Sequence, residues 1–408
     1  MWSSISIKVQ YYYHKVVSSI AFYPAMIGAF FLAFSALAIL FDYSEEGKQV
    51  KSQWKWLRLE DPTTARSIIS AIVTGVISLT VFSFSMVMIV LNQAASQLSN
   101  RVLDQLIGNR FQQVVLGIYI GTIVYALFLL TMIRDIDSGV QIPALSTYLL
   151  IAVTVFDIFL FIYFIHYITQ SVKYEVIIRR IHTDTKEALV RSCRLRQEAV
   201  PETDPSWKGH PAFAAAPGVY VGFDKGALLR LCDECDCTLR MLHTPGTFIL
   251  QGLPVLEASR QLPEEVMGRI LELVYLHEGE SIEWNFFYGF KQLKEVAIKA
   301  LSPGINDPGT AVQSLRAVFK LLSYRACHFP DDSVRNEGMK VRIITRELTF
   351  DQIFTDTVLP VWDYGQGDRL IRHELHQMLM QLQAVAPTAA AGRLMRQTQR
   401  SIEEENSL

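Results

Sequence analysis

Four long apolar stretches lie within the first 170 residues, and they constrain this chain more than any other feature. They run over about 20–41, 67–91, 113–133 and 146–168. At about 21–25 residues each, they are long enough for a helix to cross a hydrocarbon core about 30 Å thick. An amphipathic helix of a soluble protein would interrupt such runs with charges on a 3.6-residue period, and these carry almost none. The expected architecture is an α-helical membrane domain of four transmembrane helices over 1–170. A helical stalk and linker follow over 171–205, and then a cytoplasmic α+β domain over 206–408. The first run follows Lys8 and Lys15 and contains Ala36-x-Ala38, features shared with signal peptides. It exceeds the roughly 7–15 residues of a signal-peptide core, and three more spans follow, so it reads as an uncleaved first helix.

An even number of spans puts both termini on one side. That side carries Lys8, Lys15, Arg101 and Arg110, then a basic run from Lys173 through Arg196. The other side has Arg134 in its shorter loop and Lys48, Lys51, Lys55, Arg58 and Arg66 in its longer one. The excess favours cytoplasmic termini, with the 42–66 loop as a counter-signal. All five cysteines (Cys193, Cys232, Cys235, Cys237, Cys327) follow the last span, an odd and clustered set that fits a reducing compartment better than a disulfide framework. A net charge of −2 implies no bulk attraction to nucleic acid.

The second span is unusual. Thr74, Ser78, Ser85, Asn92, Ser96 and Ser99 recur at spacings of three, four or seven, which places them on one helical face. Two readings stand open: a seam where helices approach and hydrogen-bond, or the wall of an aqueous pore in an oligomer. The same helix is expected to run past the bilayer through 92–97. Asp157 lies in the middle of the fourth span, where an ionisable group is costly and is a functional candidate by default. It could carry protons or hold a cation, or stay neutral and bonded to a neighbouring hydroxyl. His166, nine residues on, falls out of phase with it and reads as an interfacial hydrogen-bonder. Gly117-x-x-x-Gly121 in the third span allows close helix approach, within or between subunits.

In the second half, 219–223 reads as a strand and 224–236 as a helix capped by Asp224. Segments 238–243 and 247–250 read as a hairpin joined through Pro245-Gly246. Helices are expected at about 263–277, 284–301, 307–326, 350–359 and 367–385, with a strand at 340–346 and a fraying tail. Strands and helices do not alternate as in a doubly wound sheet. No P-loop, dinucleotide fingerprint or H-E-x-x-H stands in the sequence. Cys232-x-x-Cys235-x-Cys237 lacks a second pair, and His373 with His376 lacks a third ligand, so no metal or other cofactor is expected.

The most structured motif is Ala300-Leu301-Ser302-Pro303-Gly304-Ile305-Asn306-Asp307-Pro308. Ser302-Pro303-Gly304 stops one helix; Asp307 caps the next, with Pro308 in its first turn. Free amides beside Asn306 and Asp307 could also hold an anion or a cation, with Glu283 and Asn285 as the residues expected to share the site.

This motif resembles the signature of a bacterial family of predicted membrane proteins, number 2254 among the domains of unknown function. The resemblance extends to Val81–Ser85, Ala95–Ser99 with Arg101, Gln113–Gly117 and Tyr163–His166, and to Gly289, Gln292, Leu293 and Ala297 before the motif. Asn100 stands where the family usually has Pro, and Asn285 where an Asp is usual, which weakens any cation site that depends on that carboxylate. The resemblance implies a four-span protein of the bacterial inner (plasma) membrane with a cytoplasmic domain and no established activity. Three functions remain. One is an oligomeric ion channel or channel-like transporter, and another a membrane-anchored sensor or scaffold that binds a ligand near Asp307. The third is an enzyme, disfavoured because no nucleophile–base pair is recognisable. The expected partners are the lipid bilayer, further copies of the chain, and an ion or small molecule.

Overall fold

A computed structural model describes residues 21–53, 61–97, 110–133, 143–171, 173–195, 207 and 209–406. It divides into two units, up to Lys173 and from Tyr174 onward.

The first unit holds four helices long and apolar enough to cross a membrane: α1 (Phe22–Tyr43), α3 (Pro62–Gln97), α4 (Arg110–Met132) and α5 (Ala144–Ser171), with a short polar α2 (Glu45–Gln53) after the first. Helix α4 is the central one, packing against the other three, and Val115, Tyr119, Tyr125 and Leu129 on it are fully enclosed. Its Gly117 and Gly121 face α1. A methyl group on Gly117 would stand 2.7 Å from Ile27 Cδ1, and one on Gly121 2.5 Å from Phe31 Cδ2. The close approach is therefore within one chain. Helix α3 has 36 residues, about 54 Å at 1.5 Å per residue, and so outruns a hydrocarbon core.

One end of this bundle is tied by polar contacts that span distant parts of the chain. Asp42, buried at the end of α1, accepts from the Ser146 amide at 2.8 Å and so caps the start of α5 from another helix. The Tyr125 hydroxyl donates to Ser146 O at 3.0 Å. Arg66, near the start of α3, donates to Ile133 O at 3.0 Å, satisfying a carbonyl that the end of α4 leaves open.

The second unit is a mixed α/β domain. A five-stranded sheet runs β2 (His210–Phe213), β6 (Pro254–Ala258), β4 (Leu239–Met241), β10 (Val341–Ile344), β9 (Ser333–Arg335), with only the β4–β10 pair parallel. A second, antiparallel sheet runs β5 (Thr247–Ile249), β3 (Gly218–Phe223), β7 (Val274–His277). Helices α7 (Lys225–Glu234) and α8 (Glu264–Glu272) share a core with these sheets around Leu228, Leu239, Leu256 and Ile343. The expected 238–250 hairpin does not form. Segments β4 and β5 belong to different sheets, because the turn at Gly246, whose amide donates to Tyr220 O, carries the chain from one sheet to the other. The expected helix at 263–277 ends at Glu272, and its last residues become β7.

The remaining helices form a layered bundle: α6 (Tyr174–Ser192), α9 (Phe286–Leu301), α10 (Pro308–Arg325), α11 (Phe350–Gly365), α12 (Arg369–Val385) and α13 (Ala389–Asn406). Two corrections follow. The segment read as a stalk is a core helix: α6 buries Ile177, Ile181 and Leu189 against α9 and α10, and the strand after it, β1 (Cys193–Leu195), pairs with β8 (His328–Pro330). At the crossing, a methyl group on Gly289 would overlap the Thr185 side chain. The tail read as fraying is α13, which buries Ala391, Leu394 and Thr398 and packs against α12.

Candidate functional site

The polar stripe of α3 points outward. Thr74, Ser78, Ser85 and Asn92 are all exposed. They are part of a longer seam, Ser67, Ala71, Thr74, Ser78, Val81, Ser85, Met88 and Asn92, whose steps alternate four and three. All eight side chains are exposed. Such 3–4 spacing is the register by which two helices pack along their length. The hydroxyls of Thr74, Ser78 and Ser85 each donate to the carbonyl four residues earlier, at 2.9 Å, and are satisfied within the helix. The helix includes Ser96, whose side chain lies outside the described residues, as does Ser99.

Ser83, on the opposite side of the same helix, is buried, and its neighbours are the polar groups of the bundle interior. Tyr119 on α4 lies beside both Ser83 and Asp157, and Thr122, one turn along, lies beside Asp157. Ser83, Tyr119, Thr122 and Asp157 are all 0 % exposed. Both Asp157 carboxyl oxygens, Tyr119 Oη and Ser83 Oγ have no hydrogen-bond partner among the described residues. The sequence marked Asp157 alone. Ser83 and Tyr119 were missed because Ser and Tyr on membrane helices are ordinary, and only packing brings them together. His166 is exposed on the outer surface of α5 and does not join the group.

In the second unit the motif is a tight helix connection. The amides of Ile305 and Asn306 both donate to Ser302 O, and Asn306 takes a left-handed backbone, φ 49°. Asp307 accepts from the Thr310 amide at 3.1 Å and the Thr310 hydroxyl at 2.6 Å, so both carboxylate oxygens serve the cap of α10. The structure does not bring Glu283 and Asn285 to the motif. Helix α9 separates Asn285, its N-cap, from Ser302, its C-cap, by about 24 Å for 16 residues. Glu283 is exposed. Asn285 Oδ1 caps the Phe287 amide at 3.0 Å, and Asn285 converges with Glu280 and Lys291 on Gly246, whose φ of 88° keeps that position free of a side chain.

Among the described residues no group of three or more His, Cys, Asp or Glu could hold a metal ion. His376 Nδ1 lies 2.9 Å from Thr398 Oγ1, and Glu374 pairs with Arg316, which accounts for the His373–His376 segment as helix packing. Cys232 and Cys237 are buried side by side as free thiols, with Cys237 held below the usual thiol range, chiefly by the Cys232 thiol and further by Arg342 and Arg260, against the effect of burial.

No solved structure matches the chain. Two relatives are the uncharacterized proteins Rv1290c of Mycobacterium tuberculosis and Mb1321c of Mycobacterium bovis. Each is 24 % identical over 339 residues, covering 78 % of this chain. The chain spans 63 % of the length of these relatives. Four apolar helices, a mixed α/β domain and the Ser302–Pro308 connection carry across the region that the family model for predicted membrane proteins (DUF2254) matches, residues 17–381, and the chain belongs to that family.

Proposed function

We propose that the protein assembles as a homo-oligomer through the outward seam of its second span, and that this seam lines a path for ions or small solutes across a bacterial inner membrane. The observation that carries the reading is the seam itself: eight exposed positions at packing register, five of them Ser, Thr or Asn, on a helix whose buried face already serves its own bundle. Small and polar residues let helix backbones come close, and a closed symmetric ring of such helices turns a polar stripe toward its axis. In this reading both termini are cytoplasmic, and the second unit regulates the path from that side. Asn92, in the last turns of the helix, supplies a polar mouth.

The test is ion flux into liposomes that hold the full-length protein, wild type beside Asn92→Leu. Flux that falls with the substitution supports the reading. Single cysteines at Ser78 or Ser85, with the five native thiols replaced, should cross-link copies to one another. A cysteine at Phe161, on the inner side of α5, should not. Flux that is absent for every ion tested, together with no seam cross-link, would sink it.

A further inference from the structure

The buried group at Asp157 goes beyond that reading, since it sits inside one chain and away from the seam. A carboxyl with no hydrogen-bond partner, fully enclosed at the middle of a membrane helix, must be neutralised. No Lys, Arg or His among the described residues acts on Asp157. The polar groups beside it are hydroxyls. Tyr119 Oη and Ser83 Oγ are likewise enclosed and unpartnered, and Thr122 Oγ1 donates to Ile118 O at 3.1 Å, which leaves its lone pairs open.

The chemistry of this group is one-sided. Asp157 is the one ionisable carboxyl, Thr122 and Tyr119 lie beside it, and Ser83 lies beside Tyr119. An enclosed carboxylate with hydroxyl oxygens at its side offers the hard oxygen donors that an alkali or alkaline-earth cation takes in place of water. The charge also matches: one carboxylate balances one positive charge, and a divalent ion would leave net charge in the hydrocarbon.

We infer that Asp157, Tyr119, Ser83 and Thr122 form a binding site for a dehydrated monovalent alkali cation in the core of the bundle. Asp157 supplies the charge, and the three hydroxyls replace water around the ion. The seam could fail as a path and this site would stand, because it needs no second copy.

The experiment is carbodiimide labelling of the full-length protein in detergent, in which a carboxyl reacts once it has lost its ion and taken up a proton. Modification of Asp157 is read by peptide mass spectrometry in NaCl, KCl and choline chloride at equal ionic strength. The expected result is labelling in choline that an alkali salt slows about fivefold or more, as occupancy of the site rises. Protection by NaCl alone assigns sodium, and protection by KCl assigns potassium. Tyr119→Phe and Ser83→Ala should keep the labelling and lose most of the protection. Asp157→Asn, monodisperse by gel filtration, should show no melting shift between choline and the protecting salt, where the wild type does. Equal labelling in all three salts, with equal melting temperatures, would overturn the inference and leave Asp157 a buried protonated acid.

Discussion

At the scale of single residues, Glu347 shows how burial becomes pH dependence. Its carboxyl is pushed up to about 7 by burial, against the pull of Arg325. An acid raised on folding holds its proton longer in the folded state, so its stabilising share is complete below the unfolded value near 4.5 and is lost as pH rises toward 7. Glu347→Gln should therefore raise the melting temperature relative to wild type at about pH 8, by the equivalent of about 1–3 kcal/mol. The difference should vanish near pH 4.5, and a gap unchanged across that range would show that the site does not titrate. Asp307 makes a second case. Its carboxylate serves only the cap of α10 in this structure, so Asp307→Ala should cost about 1–2 kcal/mol by thermal unfolding without changing the response to added phosphate or divalent ions. A ligand-induced stabilisation that disappears in this variant would restore a binding role to the motif.

At the scale of elements, close crossings decide which helices can pair. Helix α1 reaches α4 only because Gly117 and Gly121 leave room for Ile27 and Phe31. Gly121→Leu forces Phe31 aside and should destabilise the bundle by about 1–3 kcal/mol, visible as a lower yield of monodisperse protein and a lower melting temperature. Gly289→Val should do the same to the α6–α9 crossing through Thr185. These helices were legible in the sequence because length, apolar runs and caps are local signals: the four spans, Asp224 and Asp307 as caps, and the Ser302–Pro308 stop all stand where the residues place them. Four strands, β3, β4, β5 and β10, also stand in segments that read as strands, but their pairing and the other short strands were not legible, because most have three to five residues and their partners are set by long-range packing. Pro245-Gly246 does mark a turn, but nothing local says that the chain leaves one sheet there and enters another. The same limit hid the Asp42 cap on α5 and the company Asp157 keeps. Each joins residues from different helices, and no spacing along the chain announces them.

At the scale of the whole molecule, the boundary between the two units falls at the end of the fourth apolar helix and not at the Pro-containing segment after 200. A fragment beginning at 206 lacks α6 and β1, and so uncovers the faces of α9 and α10 that Ile177, Ile181 and Leu189 cover. Expressed without the spans, 174–408 should be soluble and melt cooperatively, whereas 206–408 should aggregate. A stable, cooperative 206–408 fragment would show that α6 is dispensable to the core. The outward seam of α3 bears on biogenesis. Its hydroxyls at 74, 78 and 85 are already bonded to their own helix, so a lone copy surrounded by lipid leaves none of the three unsatisfied. Each chain can thus complete its own bundle alone. Under the proposed assembly, association would then be a later, concentration-dependent event rather than a step of folding.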